Sequence, residues 1–309
     1  MDERELISVV IPTYNHAHFL KSALQSVVDQ TYTNWEVIVV NNYSNDNTID
    51  VVNGFDDSRI KLFNFKNHGI IAAGRNKGIA ESSGQYIAFL DSDDIWYVDK
   101  LKQCIDKLKE GFDLVCHGEY WIKDNGYKRA VKYGPKKRAR YRSLLLDGNC
   151  ISTSATVVRK EYIDKVDGFC ESPEIITAED YDLWLKLSKA NAKIEFIQKM
   201  LGEYRIHDMN NSKVVMTNMT AEKTVVENHV TMLGKLSSLA SLRVRRRRGL
   251  VFYGAGRGFH SNQDFRKALS YYFKSWLIYP LNLRLYPASL LSIINSIKSY
   301  RKIRREKIR

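Results

Sequence analysis

Three carboxylates fall within four positions of residues 85–100, QYIAFLDSDDIWYVDK: Asp91, Asp93 and Asp94. They follow directly on an apolar run, residues 86–90, that reads as a buried strand. Carboxylates crowded at the end of a buried strand repel one another unless a positive group sits among them. Hard oxygen ligands of this kind suit Mg2+ or Mn2+, ions usually shared between carboxylates and phosphate. The same residues also suit an acidic turn that caps the next helix. On this stretch alone the two readings stand level.

A second acidic group, Glu179, Asp180 and Asp182, opens a helix expected over residues 177–189. Thr177 and Asp180 have the spacing of a capping box. Leu183, Trp184 and Leu187 give this helix an apolar face.

The elements before Asp91 alternate. Apolar runs at 6–11, 35–40 and 85–90 read as strands, 59–65 as a more exposed strand in which Ile60, Leu62 and Phe63 alternate with basic residues, and 16–30, 48–53 and 69–82 as helices. Strand alternating with helix predicts an α/β fold with a parallel sheet and crossover helices. Such sheets bind ligands beyond the carboxyl ends of their strands. Three polar segments sit there, at 13–15, 41–46 and 91–94. They therefore share one sheet edge and form one candidate nucleotide site. Further on, 98–108 predicts a helix and 112–122 a strand. Residues 149–158, 193–198 and 202–206 are β-prone, and 217–239 predicts a longer helix. The basic stretch 127–142 reads as a solvated loop.

Composition narrows the function classes. The chain has 309 residues, 44% of them hydrophobic and 27% charged, enough for one large domain and an appendage. Net charge is +13, but residues 241–309 hold 17 Lys and Arg against 2 Asp and Glu. The first 240 residues hold the remaining 31 against 33, so the body offers no electrostatic reason for nucleic-acid binding. The four cysteines have no zinc spacing and read as reduced thiols of a cytoplasmic protein. The acidic start, MDEREL, predicts no secretory signal, and no apolar run is long enough to cross a bilayer.

Six pieces now fall into a familiar order: SVVIPTYN at 8–15, SNDNT at 44–48, AGRNKGI at 73–79, FLDSDD at 89–94, AEDYDLW at 178–184 and YRIH at 204–207. Together they resemble a family 2 inverting glycosyltransferase of the GT-A fold, over about residues 6–215. The resemblance implies a catalytic domain at 1–215 and a helical extension with a basic tail at 216–309. It implies that Pro12, Thr13, Tyr14 and Asn15 line a nucleotide pocket and that Arg75 lies near the phosphates. Asp91, Asp93 and Asp94 match the family's DXD region. Asp93 and Asp94 are expected at the ribose and at Mn2+ or Mg2+, with Asp91 in support. Asp180 matches the catalytic base, beside Glu179 at the nucleotide-sugar site. Its early-turn position favours the ionised form. Trp184 suits core packing better than a sugar platform. Arg205 and His207 are expected to face the diphosphate.

One departure concerns the nucleotide base. The family usually carries two acids at the end of the second strand, where this chain has Asn41 and Asn42. The amide of Asn42 can still accept or donate a hydrogen bond. A UDP-sugar stays the default donor, with a glycan or lipid-linked glycan as acceptor. A non-catalytic nucleotide-sugar scaffold is the alternative. A nucleotidyltransferase would want a Gly-rich basic loop after the first strand, and residues 12–15 have none.

The extension has its own pattern. Residues 264–280 resemble the second helix of a tetratricopeptide hairpin, with Gly256 as the small residue of the first. Seven of the last twelve residues are basic. A basic end on a neutral body suits an anionic membrane surface or a partner, and hence a cytoplasmic enzyme peripheral to the inner face of the membrane. The arginines at 245–248 are expected to serve the same surface.

Overall fold

Strands β1 (Ile7–Thr13) and β2 (Trp35–Asn41) are buried at every residue. Strands buried on both faces belong inside a parallel sheet, and their polar side chains pair there, as Ser8 Oγ does in donating to Glu36 Oε1 at 2.7 Å. The structure is a computed structural model and describes residues 5–123, 125–207 and 214–306, with side chains to residue 298. The other strands are β3 (Ile60–Asn64), β4 (Tyr86–Phe89), β5 (Ile95–Trp96), β6 (Leu114–Ile122), β7 (Lys128–Val131), β8 (Thr156–Arg159) and β9 (Ile194–Arg205). They form one sheet ordered β3-β2-β1-β4-β8-β6-β9-β5, with β7 paired to β6. Strands β1 to β4 are mutually parallel, and β6 is parallel to β9. β8 runs antiparallel between β4 and β6. The fold is thus α/β with a mostly parallel sheet, as the alternating pattern predicts.

Helices α1 (Ala17–Val28), α2 (Thr48–Asn53) and α3 (Ile71–Ala80) make the first crossovers, and α4 (Lys100–Lys109) follows β5. One core joins Leu20, Leu24 and Val27 of α1 to Val9 and Ile11 of β1, Val37 and Val39 of β2, and Leu101 and Ile105 of α4. Helix α3 lies unusually close to β1. A Cβ at Gly78 would stand 2.4 Å from Val10 Cγ1, whereas at Gly74 the nearest atom is 3.4 Å away. The tightest contact of α3 with β1 is therefore at Gly78.

Beyond β6, the basic stretch 127–142 is more ordered than a solvated loop. It holds β7, a 3-10 turn at Lys136–Ala139 and the start of α5 (Tyr141–Asp147). Helices α6 (Lys160–Asp164) and α7 (Glu179–Lys189) complete this part. The two short strands expected at 193–206 are the single strand β9.

The chain divides into two compact units, residues 1–144 with 149–208, and residues 145–148 with 209–309. The second unit is helical: α8 (Val215–Thr231), α9 (Ser238–Ser261), α10 (Phe265–Ile278) and α11 (Leu285–Glu306). The expected helix at 217–239 stops at Thr231, before Gly234 with φ +67. The Ser237 and Asp264 side chains cap α9 and α10 by accepting the N–H groups of Ala240 and Lys267. Gly256 does bring α9 against α10, since a Cβ there would meet the Tyr272 ring at 2.4 Å. With 24 and 14 helical residues, however, this pair outgrows a tetratricopeptide repeat of about 34 residues.

The arginines at 245–248 are spent within this unit. Arg247 is buried and donates to the Leu145 carbonyl and to Glu222 Oε1 at 3.0 and 2.6 Å. Arg248 makes a forked pair with Glu227, Arg246 donates to Asp147, and Arg245 donates to the Ile278 carbonyl. Arg246, Arg247 and Arg248 thus meet carboxylates, while Arg245, exposed, meets only a backbone carbonyl.

Candidate active site

Parallel strands end at one edge, so β1, β2 and β4 deliver their following loops together. Pro12 and Thr13 stay buried inside β1, and the loop proper begins at Tyr14, whose side chain is 51% exposed. The loops after β1 and β2 are tied directly. Asn15 N–H donates to Ser44 Oγ at 2.9 Å, and Asn15 Oδ1 accepts the Asn45 N–H at 2.7 Å. Asp46 Oδ2 accepts the Ala17 N–H at 2.9 Å, at the start of α1.

The two asparagines after β2 differ in role. Asn41 is fully buried. Its Nδ2 donates to Asn64 Oδ1 at 2.8 Å and its Oδ1 accepts from Ser44 Oγ at 2.6 Å. It organises the loop and offers nothing to a ligand. Asn42 Oδ1 accepts the Asn67 N–H at 3.0 Å, which fixes the amide and leaves Nδ2 as the group to donate.

Arg75, on α3, is the electrostatic centre of the site. It is 4% exposed. Nη2 donates to Asp91 Oδ1 and Nη1 to Glu179 Oε1, each at 2.7 Å. The two carboxylates hold its pKa above the usual arginine value against the cost of burial. Arg75 thus binds the loop after β4 to the start of α7, 104 residues further on.

Asp93 and Asp94 have different surroundings. Asp93 Oδ2 lies 2.9 Å from His207 Nε2, just past β9. Burial and the neighbouring Asp91 push its pKa up, partly offset by His207. Asp94 is 1% exposed, and its Oδ1 accepts the Arg205 N–H at 3.0 Å. Burial pushes its pKa well up, with Asp93, Glu119 and Asp91 adding to the effect. His207 stacks on Phe19 at 4.6 Å, and the Arg205 guanidinium lies over the same ring at 5.8 Å.

Asp180 is half-buried at the second residue of α7. The capping box expected with Thr177 is absent, because the N-cap is Ala178 and makes no side-chain cap. Thr177 takes φ +82, and its N–H donates to Glu179 Oε2 at 2.7 Å. Asp180 Oδ1 accepts the Tyr181 N–H at 2.6 Å and Oδ2 accepts from Thr153 Oγ1 at 3.2 Å. Its carboxyl is pushed up to about 6 by burial and by Glu179, with Arg75 opposing. The helix-end effect expected to keep it low is outweighed by desolvation. Trp184 is fully buried and packs near Phe89, in the core.

The Glycosyl transferase family 2 profile matches residues 8–167, more than half of the chain. The chain belongs to glycosyl transferase family 2. It is 36% identical over 186 residues to the Escherichia coli UDP-Glc:alpha-D-GlcNAc-diphosphoundecaprenol beta-1,3-glucosyltransferase WfgD, covering 60% of this chain and 71% of that protein. It spans only 35% and 36% of two longer Rickettsia relatives. Two solved structures share the fold. S. aureus TarS 1-349 in complex with UDP-GlcNAc has a TM-score of 0.65 at 18% identity, covering 96% of this chain and 91% of that one. The Pyrobaculum calidifontis mannosyltransferase PcManGT in complex with GDP-Man and Mn2+ has 0.58 at 15%, covering 94% and 86%.

In this family 2 glycosyltransferase one group of site residues has no counterpart in the sequence reading. Ser152, Thr153 and Ser154 precede β8, and because β8 is antiparallel its beginning reaches the edge where β4 ends. Each hydroxyl holds a different partner. Ser152 donates to Glu119 Oε2 at 2.8 Å, Thr153 to Asp180, and Ser154 Oγ accepts the Asp91 N–H at 3.1 Å. The signal was a run of three hydroxyl residues before a strand, which only strand direction makes meaningful. His16 was also missed. It lies beside His207 at 6.0 Å between ring centres, and its Nδ1 is 2.9 Å from Ser92 Oγ.

Proposed function

We propose that the first unit transfers a sugar, with inversion, from a UDP-sugar to a hydroxyl of a lipid-linked glycan in bacterial surface polysaccharide synthesis. The observation that carries this reading is Asp180. It is half-buried, poised near pH 6, held at both oxygens, and joined through Glu179 and Arg75 to Asp91. The activity for which the relative WfgD is named supports a UDP-sugar donor and a diphosphoundecaprenol-linked acceptor. A cytoplasmic protein held at the inner face of the membrane would meet such an acceptor.

In this mechanism Asp180 takes the proton of the acceptor hydroxyl as that oxygen attacks the anomeric carbon. The bond from that carbon to the diphosphate breaks, and the diphosphate leaves with the electron pair. Attack opposite the leaving group inverts the centre. Tyr14, Asn15 and the Asn42 amide border the nucleotide end, and Arg205 and His207 the diphosphate.

The residues fit a divalent cation at one place. Among the described residues no group of three or more His, Cys, Asp or Glu could hold an ion alone. Asp93 and His207 stand side by side, and both are groups that Mn2+ accepts. Asp94 Oδ2 lacks a hydrogen-bond partner but is enclosed by protein. We therefore assign the ion to Asp93 with His207, and give Asp94 the task of fixing Arg205. When bound, Mn2+ or Mg2+ would offset charge on the leaving diphosphate. In the presence of UDP, Asp93→Asn should weaken Mn2+ binding by roughly 10- to 100-fold, read by the electron paramagnetic resonance of free Mn2+. Asp94→Asn should leave it nearly unchanged. The reverse ranking would return the metal to Asp94.

Thr153 positions the base. Thr153→Val should lower kcat on the order of tenfold, since a hydrogen bond to a charged group is lost. It should also move the acidic limb of the pH profile upward, because a donor to the ionised form is gone. Thr153→Ser should restore both, and an unmoved limb would reduce Thr153 to packing.

The direct test of function is release of UDP from a panel of UDP-sugars with Mn2+ and an undecaprenyl diphosphate sugar. Release that depends on the acceptor supports transfer. Donor binding with no turnover for any acceptor would leave a scaffold.

A further inference from the structure

Helix α11 is apolar on two sides. Leu285, Ala288 and Ser292 are buried along one of them. On the other, Tyr286, Leu290, Ile293, Ile294 and Ile297 are exposed, at i, i+4, i+7, i+8 and i+11. Helix α10 repeats the arrangement. Ala268, Tyr272 and Ser275 are buried, while Phe273 and Trp276 project outward, stacked at 5.9 Å. The turn between the helices adds Leu281 at 66% and Leu283 at 78% exposure. A run of large apolar side chains from 273 to 297 exceeds the scattered apolar residues of an ordinary surface.

Along the sequence from α10 to α11 the charge has one sign. Between Asp264 and Glu306 the sequence has no Asp or Glu, and nine Lys or Arg, five of them at or before Lys298 and four at 301–305. These last four continue the α11 sequence beyond Ile297, so the helix passes from an apolar stripe to a basic end. Arg246, Arg247 and Arg248 pair with Asp147, Glu222 and Glu227, whereas exposed Arg245 donates to the Ile278 carbonyl at the end of α10.

We propose that the outward faces of α10 and α11 dock shallowly on an anionic lipid surface. Among the described residues no helix is long and apolar enough to cross a membrane, which suits helices lying in the interface. Trp276 and Tyr286, with an apolar body and a polar edge, suit the headgroup level. Anionic lipid satisfies both the apolar stripe and the basic residues beside it in the sequence. A second copy satisfies only the first, because two such faces would set like charges against each other. The proposal stands apart from the transfer chemistry and is read without turnover.

The test uses the full chain and vesicles of phosphatidylcholine with or without phosphatidylglycerol. Co-sedimentation is expected with the anionic vesicles and not with the neutral ones. Trp276 is the most exposed tryptophan, as Trp35, Trp96 and Trp184 are buried and Trp121 is half-buried. Its emission should therefore shift to the blue on binding. The double variant Leu290→Ser with Ile294→Ser should lower vesicle affinity at least roughly tenfold while leaving the circular dichroism spectrum unchanged. Equal affinity of the variant and the parent would overturn the proposal, as would absence of binding by the parent. A dimer seen in sedimentation velocity and abolished by the same variant, without vesicle binding, would assign the face to a second copy.

Discussion

Asp180→Asn is expected to lower kcat by about 10²- to 10⁴-fold, the usual contribution of a general base, while UDP affinity stays unchanged. Asparagine has the same shape and can still accept the Tyr181 N–H that Asp180 Oδ1 accepts now. What it cannot do is take a proton. The parent enzyme should show the matching pH signature. With the carboxyl pushed up to about 6, the ionised base becomes the major form only above that pH. Activity should therefore rise through about pH 6, and the variant should lose this limb along with turnover. The groups facing Asp180 are Glu179, which raises the limb, and Arg75, Thr153 and the Tyr181 N–H, which lower it. Steady-state UDP release and titration calorimetry with UDP separate the two effects. Full turnover by Asp180→Asn would remove the base assignment. A parallel loss of UDP binding would show that the substitution had disturbed the pocket instead.

Much of this site was legible because its supports are local. Buried strands such as 35–41 are mostly apolar, and their parallel order places the loops after them at one edge whatever the side chains do. Asp91, Arg75 and Asp180 were singled out by motif alone, since the bonds from Arg75 to Asp91 and Glu179 span 16 and 104 residues. The rest depends on pairings between distant residues. Nothing local tells Asp93 from Asp94; the difference comes from β9, which brings His207 to one and the Arg205 backbone to the other. Thr177 and Asp180 have capping-box spacing, yet Glu179 takes the Thr177 N–H because Arg75 already holds its other oxygen in place. The arginines at 245–248 read as a free basic cluster, since the partners Glu222, Glu227 and Asp147 lie between 21 and 99 residues away. The exposed stripe of α11 has a helical period, but a period cannot say which of two apolar sides is covered.

Arg75→Met should be the most destabilising single change in the site, at about 3–5 kcal/mol, because it leaves buried carboxylate without its counter-charge. The guanidinium spans two acids with two nitrogens at 2.7 Å each, one acid being Glu179, whose side chain is 7% exposed. Methionine fills similar space near the Phe169 ring, which lies 5.5 Å from the guanidinium carbon, so lost packing adds little. Lysine cannot replace it, since one ammonium cannot reproduce the fork. The same change should act on catalysis through Asp180. Arg75 is a group that lowers the Asp180 pKa, so its removal should carry the acidic limb of the activity profile above about 6. Thermal unfolding measures the first effect and the pH profile of kcat the second. Adding Glu179→Gln to Arg75→Met should recover part of both, because it removes the unpaired charge and the largest electrostatic push on Asp180 together. If the double variant were no more stable than the single one, the loss would have to arise from shape rather than charge. If its pH limb also failed to return, Glu179 and Arg75 would hold α7 in place without tuning the base it carries.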